Sequence, residues 1–230
     1  IIQNSKLITN HLNFDNKKNL YLINGPSNYI KNDLNLYFEN GRYNSKSKKG
    51  IFSINNYIRE KDFILQSDMF ITDEENNIEA IDNVSLVNED DKIVINSGYA
   101  FFNDSVRNFK EKPKISFLNY DDTLIINSEI VFSKESILIS HNDVKIISNN
   151  LIGKCDSLSF DQNDSLIKLY GEPVIWVDGY QVTSDTIILS YFDNEIKSFY
   201  LPNKPFISFK TDTTFFNQIR GNEISGIFSN

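Results

Sequence analysis

The stretch GKCDSLSF at 153–160 places the one cysteine of the chain, Cys155, beside a carboxylate and a hydroxyl, Asp156 and Ser157. A thiolate nucleophile needs a base in reach and surroundings that stabilise its charge. His141 is a conceivable base, because the partners of such a pair meet in space rather than along the chain. No cationic cluster or helix start lies near Cys155, so the stretch reads as a strand whose cysteine is structural. By alternation, Cys155 shares its facing with Ser157 and Ser159.

Other chemistry-bearing residues lead to the same answer. The two histidines, His11 and His141, are far apart and have no second His or Cys at metal-ligand spacing, whereas a zinc site needs three or four ligands. DQNDS at 161–165 has the opening of a calcium loop but lacks its Gly at the sixth position, where Leu166 stands. The adjacent carboxylates Asp121 and Asp122 sit in a turn-like NYDDT and read as hydrated. Phosphate-binding glycine loops and the G-x-S-x-G elbow are absent. The chain is therefore read as non-enzymatic, without cofactor or metal.

The elements that would hold these residues are strands. Asn, Ile, Ser, Asp and Phe are abundant and Ala is scarce among 230 residues, a balance that disfavours helices. Period-two alternation recurs, as in Ile93, Ile95, Tyr99 and Phe101. The net charge is -8 and the densest basic run is KSKK at 46–49, which excludes a phosphate-tracking nucleic-acid surface. A single cysteine forms no internal disulfide and leaves the compartment open. No window approaches the roughly 20 apolar residues of a transmembrane helix. Opening on Ile1 within strand-like sequence, the chain is expected to be one segment, 1–230, of a longer protein.

The strands repeat. A small or polar residue followed by apolar residues two and four later occurs at Ser67, Met69, Ile71; Ser97, Tyr99, Phe101; Ser128, Ile130, Phe132; Asp156, Leu158, Phe160; and Asp185, Ile187, Leu189, with starts 30, 31, 28 and 29 residues apart. A second strand type keeps the same step, at Val84, Ile115, Ile146, Ile175 and Ile207. Asn10, Leu12, Phe14 is an earlier copy, with one degenerate unit before Ser67, and Asn222 with Ile224 opens a truncated last one. Self-similarity at such a step marks units that bury their apolar faces only by stacking. The expected fold is all-β: stacked antiparallel strands in two facing sheets, one strand type in each, with about seven units making a slab roughly 35 Å long. DEENN at 73–77, NEDD at 88–91 and DQND at 161–164 supply the turns.

Opposed apolar faces enclose a trough. Its expected lining is Tyr99, Phe101, Ile130, Phe132, Leu158, Phe160, Ile187 and Leu189 from one strand type and Val84, Ile115, Ile146, Ile175 and Ile207 from the other, with Trp176 beside Ile175 near an opening. An acyl chain of about a dozen carbons gains on the order of 10 kcal/mol from full burial in such a trough. An open stack also has two bare end strands, which must be capped or joined to another sheet. Two rivals remain: a structural β-solenoid with a dry core, and a carbohydrate-acting or carbohydrate-binding β-solenoid, which should display exposed aromatic ladders and, for an enzyme, carboxylates across a cleft.

Read together, GKCDSLSF at 153–160, DSLIKLYGEPVIW at 164–176, QVTSDTI at 181–187 and FNQIRGNEISGIF at 216–228 resemble the OstA-like proteins of Bacteroidota, in the OstA/LptA superfamily of lipopolysaccharide transport. Residues 151–228 carry most of this resemblance, and NGPSNYI at 24–30 carries a further piece. The resemblance implies a β-jellyroll or β-taco in the periplasm, associated with the outer membrane and carrying the acyl chains of lipopolysaccharide without catalysis. It also implies end-to-end joining, through edge strands, to other jellyrolls of the transport system or to itself.

Overall fold

The computed structural model describes residues 5–61, 63–75, 77–103, 105–118, 123–192, 195–211 and 215–228. All regular structure among them is β, and it falls into two compact units, Ile1–Glu111 and Lys112–Asn230. Asp121 and Asp122 lie outside the described residues.

Unit 1 holds β1 (Ser5–Asp15), β2 (Leu20–Lys31), β3 (Leu34–Asn44), β4 (Lys49–Ser53), β5 (Tyr57–Glu60), β6 (Phe63–Gln66), β7 (Met69–Thr72), β8 (Ile78–Asn88), β9 (Ile93–Phe102) and β10 (Arg107–Lys110). Every pairing is antiparallel, and the long strands take different partners at their two ends. β3, for example, pairs with β4 through Asn40–Asn44 and with β5 through Leu34–Tyr37. The result is a sheet with two arms. The first runs β1-β2-β3-β4-β7-β8-β9-β10 and the second β1-β2-β3-β5-β6-β8-β9.

Unit 2 repeats this plan with β11 (Lys114–Phe117), β12 (Leu124–Asn127), β13 (Ile130–Lys134), β14 (Ile137–Ile147), β15 (Leu151–Asp161), β16 (Leu166–Tyr170), β17 (Val174–Val177), β18 (Tyr180–Thr183), β19 (Thr186–Phe192), β20 (Glu195–Leu201), β21 (Phe206–Lys210), β22 (Phe216–Arg220) and β23 (Ile224–Ile227). Its first arm runs β13-β14-β15-β16-β19-β20-β23 and its second β11-β12-β14-β15-β17-β18-β21-β22.

The corner between the arms has its own chemistry. Left-handed residues bend the chain there: Ile54 and Asn55 (φ 65° and 52°) and Asp82 and Asn83 (57° and 48°) in unit 1, Asn142 and Asp143 (64° and 47°) and Gly171 and Glu172 (76° and 51°) in unit 2. These positions recur about every thirty residues, and where a long strand crosses the corner the pairing register shifts, as between Ile81 and Val84 and between His141 and Val144. Such an extra pair is a bulge, which bends a strand and sharpens its twist. Gly171 is required as glycine on two counts, since its φ is positive and a Cβ would lie 2.4 Å from Asp156 Oδ2. Serines brace the corner: the hydroxyls of Ser67, Ser97 and Ser128 donate to the carbonyls of Met69, Tyr99 and Ile130 at 2.9, 3.0 and 3.2 Å.

Each repeat contributes two strands to each arm rather than one. Between Met69 and Ser97, β7 and the start of β8 lie in the first arm, and the rest of β8 with β9 up to Ser97 lies in the second. Turns that open at Asp73 and Asn88 double each strand back on itself, which is why thirty residues fill four short strand segments.

Candidate functional site

Cys155 lies in β15 opposite Val144, buried in the core. Burial pushes its thiol up to about 12, so it is neutral near pH 7 and a poor nucleophile. His141 pairs with Ser157 and packs edge-on against Phe132, ring centroids 5.9 Å apart, on the opposite side of the sheet from buried Leu138 and Ser140. The two do not form a pair. Cys155 also does not share its facing with Ser157 and Ser159, because the corner between them inverts the alternation: Gly153 and Cys155 are buried on one side of it, Leu158 and Phe160 on the other. Asp161 of DQNDS accepts from the backbone N–H of Asn163 at 3.0 Å and so closes a turn. No group of three His, Cys, Asp or Glu side chains that could hold a metal occurs among the described residues. His11 sits exposed on β1.

The inner face is the feature with functional capacity. In unit 2, Leu158, Phe160, Ile187 and Leu189 of the first arm and Ile115, Ile146, Ile175 and Ile207 of the second are all buried, and Val84 is buried in unit 1. The remaining expected lining residues lie elsewhere. Tyr99 and Phe101 are half-buried, while Ala100 and Phe102 between and after them are in the core; Ile130 and Phe132 flank buried Val131 in the same way. Tyr99 donates its hydroxyl to Glu79 Oε2 at 3.2 Å on that outer side. Trp176 directly follows Ile175, so it points outward, 38% exposed, with its indole N–H donating to Gln181 Oε1 at 3.3 Å.

The cause is a one-residue slip. The serines that brace the corner continue as Ser157 and Ser184, so the inward position lies three residues after each serine: Phe70, Ala100, Val131, Phe160 and Ile187, all buried. Counting from Asp156 and Asp185 instead finds the inner face for those two copies, but the same count from Ser97 and Ser128 lands on the outer face.

At the tips of the arms the inner faces meet. In unit 2, Phe117 of β11 packs on Phe160 and Tyr191 of the first arm, with ring centroids 5.0 and 5.5 Å away, and Phe160 and Tyr191 are 5.8 Å apart. In unit 1 the Arg107 guanidinium of β10 lies 4.4 Å from the ring of Phe63 at the tip of the second arm. Burial pulls the Arg107 pKa below its usual value, and Glu60 acts in the other direction. These closures were not anticipated from sequence. Phe117 stands two residues after Ile115, on the same face, and that spacing was the available signal.

An open recess of about 620 Å³ occurs at the corner of unit 1, lined by Ser53, Ile54, Asn55, Asn56, Gln66, Ser67, Asp68 and Asn83. Its amides, hydroxyls and single carboxylate do not suit an acyl chain. Asn56 is 4% exposed, and its Oδ1 is buried without a hydrogen-bond partner.

Among the described residues, β1, β22 and β23 each pair along one edge. Leu7, Ile8, Leu12 and Phe14 of β1 are 37–47% exposed, and Phe216, Ile219 and Ile227 of β22 and β23 are 62, 47 and 85% exposed.

Residues 2–68 match a family model described as OstA-like protein. The matched part contains NGPSNYI at 24–30 and covers less than a third of the chain. No curated protein matches the sequence. Among solved structures, the chain is similar to LptH, described as the LptA homologous periplasmic component of the lipopolysaccharide transport device of Pseudomonas aeruginosa, with 8% identity and a TM-score of 0.43, over 47% of this chain and 82% of that one.

Proposed function

We propose that this chain, OstA-like over residues 2–68, is a non-enzymatic periplasmic bridge of lipopolysaccharide transport that takes acyl chains between its two arms and passes them toward the outer membrane. The observation that carries the reading is the inner face itself. Both arms of unit 2 present mainly aliphatic and aromatic side chains to each other, with Ser140 buried among them, and a contact between side chains, Phe117 on Phe160 and Tyr191, closes them at the tips. An acyl chain enters by taking the place of Phe117 in that contact, exchanging one apolar neighbour for another, so parting the arms exposes little net apolar surface. The exposed edge strands, β1 of unit 1 and β22 and β23 of unit 2, extend the path by strand addition to another jellyroll domain or to a second copy.

A structural spacer is the second reading. Ile115, Ile126, Ile146, Leu169, Ile175, Ile187 and Leu189 are 0–1% exposed, as in a dry core. The two readings separate in a titration of the purified protein with a fluorescent acyl probe. Saturable binding that lipopolysaccharide displaces supports the conduit, and no saturable binding supports the spacer.

A further inference from the structure

The register of unit 2 assembles, on the outside of the second arm, two parallel rows that are scattered in sequence. Ile125, Ile147, Ile152 and Trp176 are successive cross-strand partners on β12, β14, β15 and β17. One step nearer the corner on the same face runs Lys114, Asn127, Lys145 and Lys154, again successive partners. Residues two apart on a strand share a face at roughly 7 Å. The rows therefore form an apolar stripe with a cationic border, on a chain whose net charge is -8.

Neither row is needed by the core. Ile126, Ile146, Gly153 and Ile175 fill the inside of these strands, yet Ile147, Ile152 and Trp176 stand 43, 53 and 38% exposed outside. Lys145 and Lys154 face each other directly, and like charges in that position disfavour strand pairing. Asp143 holds Lys145 at 2.7 Å, whereas Lys114 and Lys154 form no ion pair among the described residues. Asp178 in the turn after β17 is the nearest carboxylate in sequence to Trp176. Indole rings with an apolar body and a donating N–H favour the boundary between hydrocarbon and water, and cations beside them favour anionic head groups.

We propose that this outer face is a docking surface for an anionic lipid bilayer, in which Ile147, Ile152 and Trp176 enter the head-group boundary and Lys114, Lys145 and Lys154 meet the phosphates. The interaction leaves the interior of the molecule untouched and is independent of whether that interior carries lipid.

Trp176 is the sole tryptophan of the chain and reports on its own contact. The whole protein is mixed with vesicles of phosphatidylcholine alone or with phosphatidylglycerol added, and tryptophan emission is recorded. The proposal expects a blue shift with the anionic vesicles, quenching by brominated acyl chains, and weakening at high salt. K114Q and K154Q should each lower the partition coefficient by about fivefold. I152S should lower it as well, with circular dichroism unchanged. The proposal is overturned if anionic vesicles cause no shift, if phosphatidylcholine alone causes the same shift, or if K114Q/K154Q binds like the parent. A blue shift that grows with protein concentration in the absence of vesicles also overturns it, because the face then pairs with a second copy.

Discussion

Phe117 and Phe160 meet edge to face across the core of unit 2, ring centroids 5.0 Å apart with planes at 89°, although their strands are not neighbours in the sheet. The contact joins the second arm to the first, and Tyr191 completes it. It is both a stabilising interaction and, in a conduit, the obstacle that a ligand displaces.

Phe117→Ala should therefore move two properties in opposite directions. Truncating a buried Phe costs about 3–5 kcal/mol of stability, readable in urea unfolding. The same change removes the closure, so an acyl probe should enter faster than in the parent. A loss of stability with slower or unchanged entry would contradict the role of Phe117 as a closure.

The two faces of the first arm can be separated by a pair of substitutions. Leu189 is fully buried, and Leu189→Ala should cost about 2–5 kcal/mol. Phe132 lies half-buried on the outer face against His141, so Phe132→Ala should cost about 1 kcal/mol. Equal costs would show that the facing described above is wrong.

This pair also marks what the sequence could and could not disclose. The all-β class, the thirty-residue step and the turns were legible because alternation and turn residues are local signals. Val84, Ile115, Ile146, Ile175 and Ile207 are buried, as their own alternation behind the corner implies. Tyr99, Phe101, Ile130 and Phe132 are only half-buried, because a period-two pattern has no phase of its own and the corner shifts it by one residue. Trp176 is adjacent to Ile175 and so could only face the other way. The basic border on unit 2 was invisible, since Lys114, Lys145 and Lys154 come together only through strand register.

Asn56 is a departure from the repeat with a measurable cost. Position for position behind the corner the other repeats have Val84, Pro113, Val144, Pro173 and Pro205, and Asn56 alone puts an amide there, with Oδ1 buried and unpartnered. Asn56→Val should raise stability by about 1–3 kcal/mol in urea unfolding, because it removes an unpaired buried acceptor. Destabilisation would mean that the Asn56 Nδ2 bond to the Phe52 carbonyl, at 3.1 Å, outweighs that cost.

The thiol of Cys155 predicts an alkaline limb. Its folded pKa is raised to about 12 by burial, above its unfolded value, so the unfolded chain loses this proton first as pH rises. The contribution is intact below the unfolded pKa near 9 and is lost as pH climbs toward the folded one at about 12. Cys155→Ala should flatten this part of the stability profile, leaving the part due to the tyrosines, of which Tyr43 and Tyr99 are also raised by burial. An identical slope in parent and variant between pH 9 and 11 would contradict the assignment. In the native state at pH 8 the thiol should resist a disulfide reagent and react once urea unfolds the chain.

The central claim is that lipid passes between the arms, and the most direct test puts a photo-crosslinking residue in place of Phe160 or Leu189, inside, and of Phe132, outside, in cells making labelled lipopolysaccharide. The account predicts lipid adducts at 160 and 189 and none at 132. Adducts at neither inner position, or at 132 alone, in variants that fold like the parent, would contradict it and leave the dry structural core as the reading of this fold.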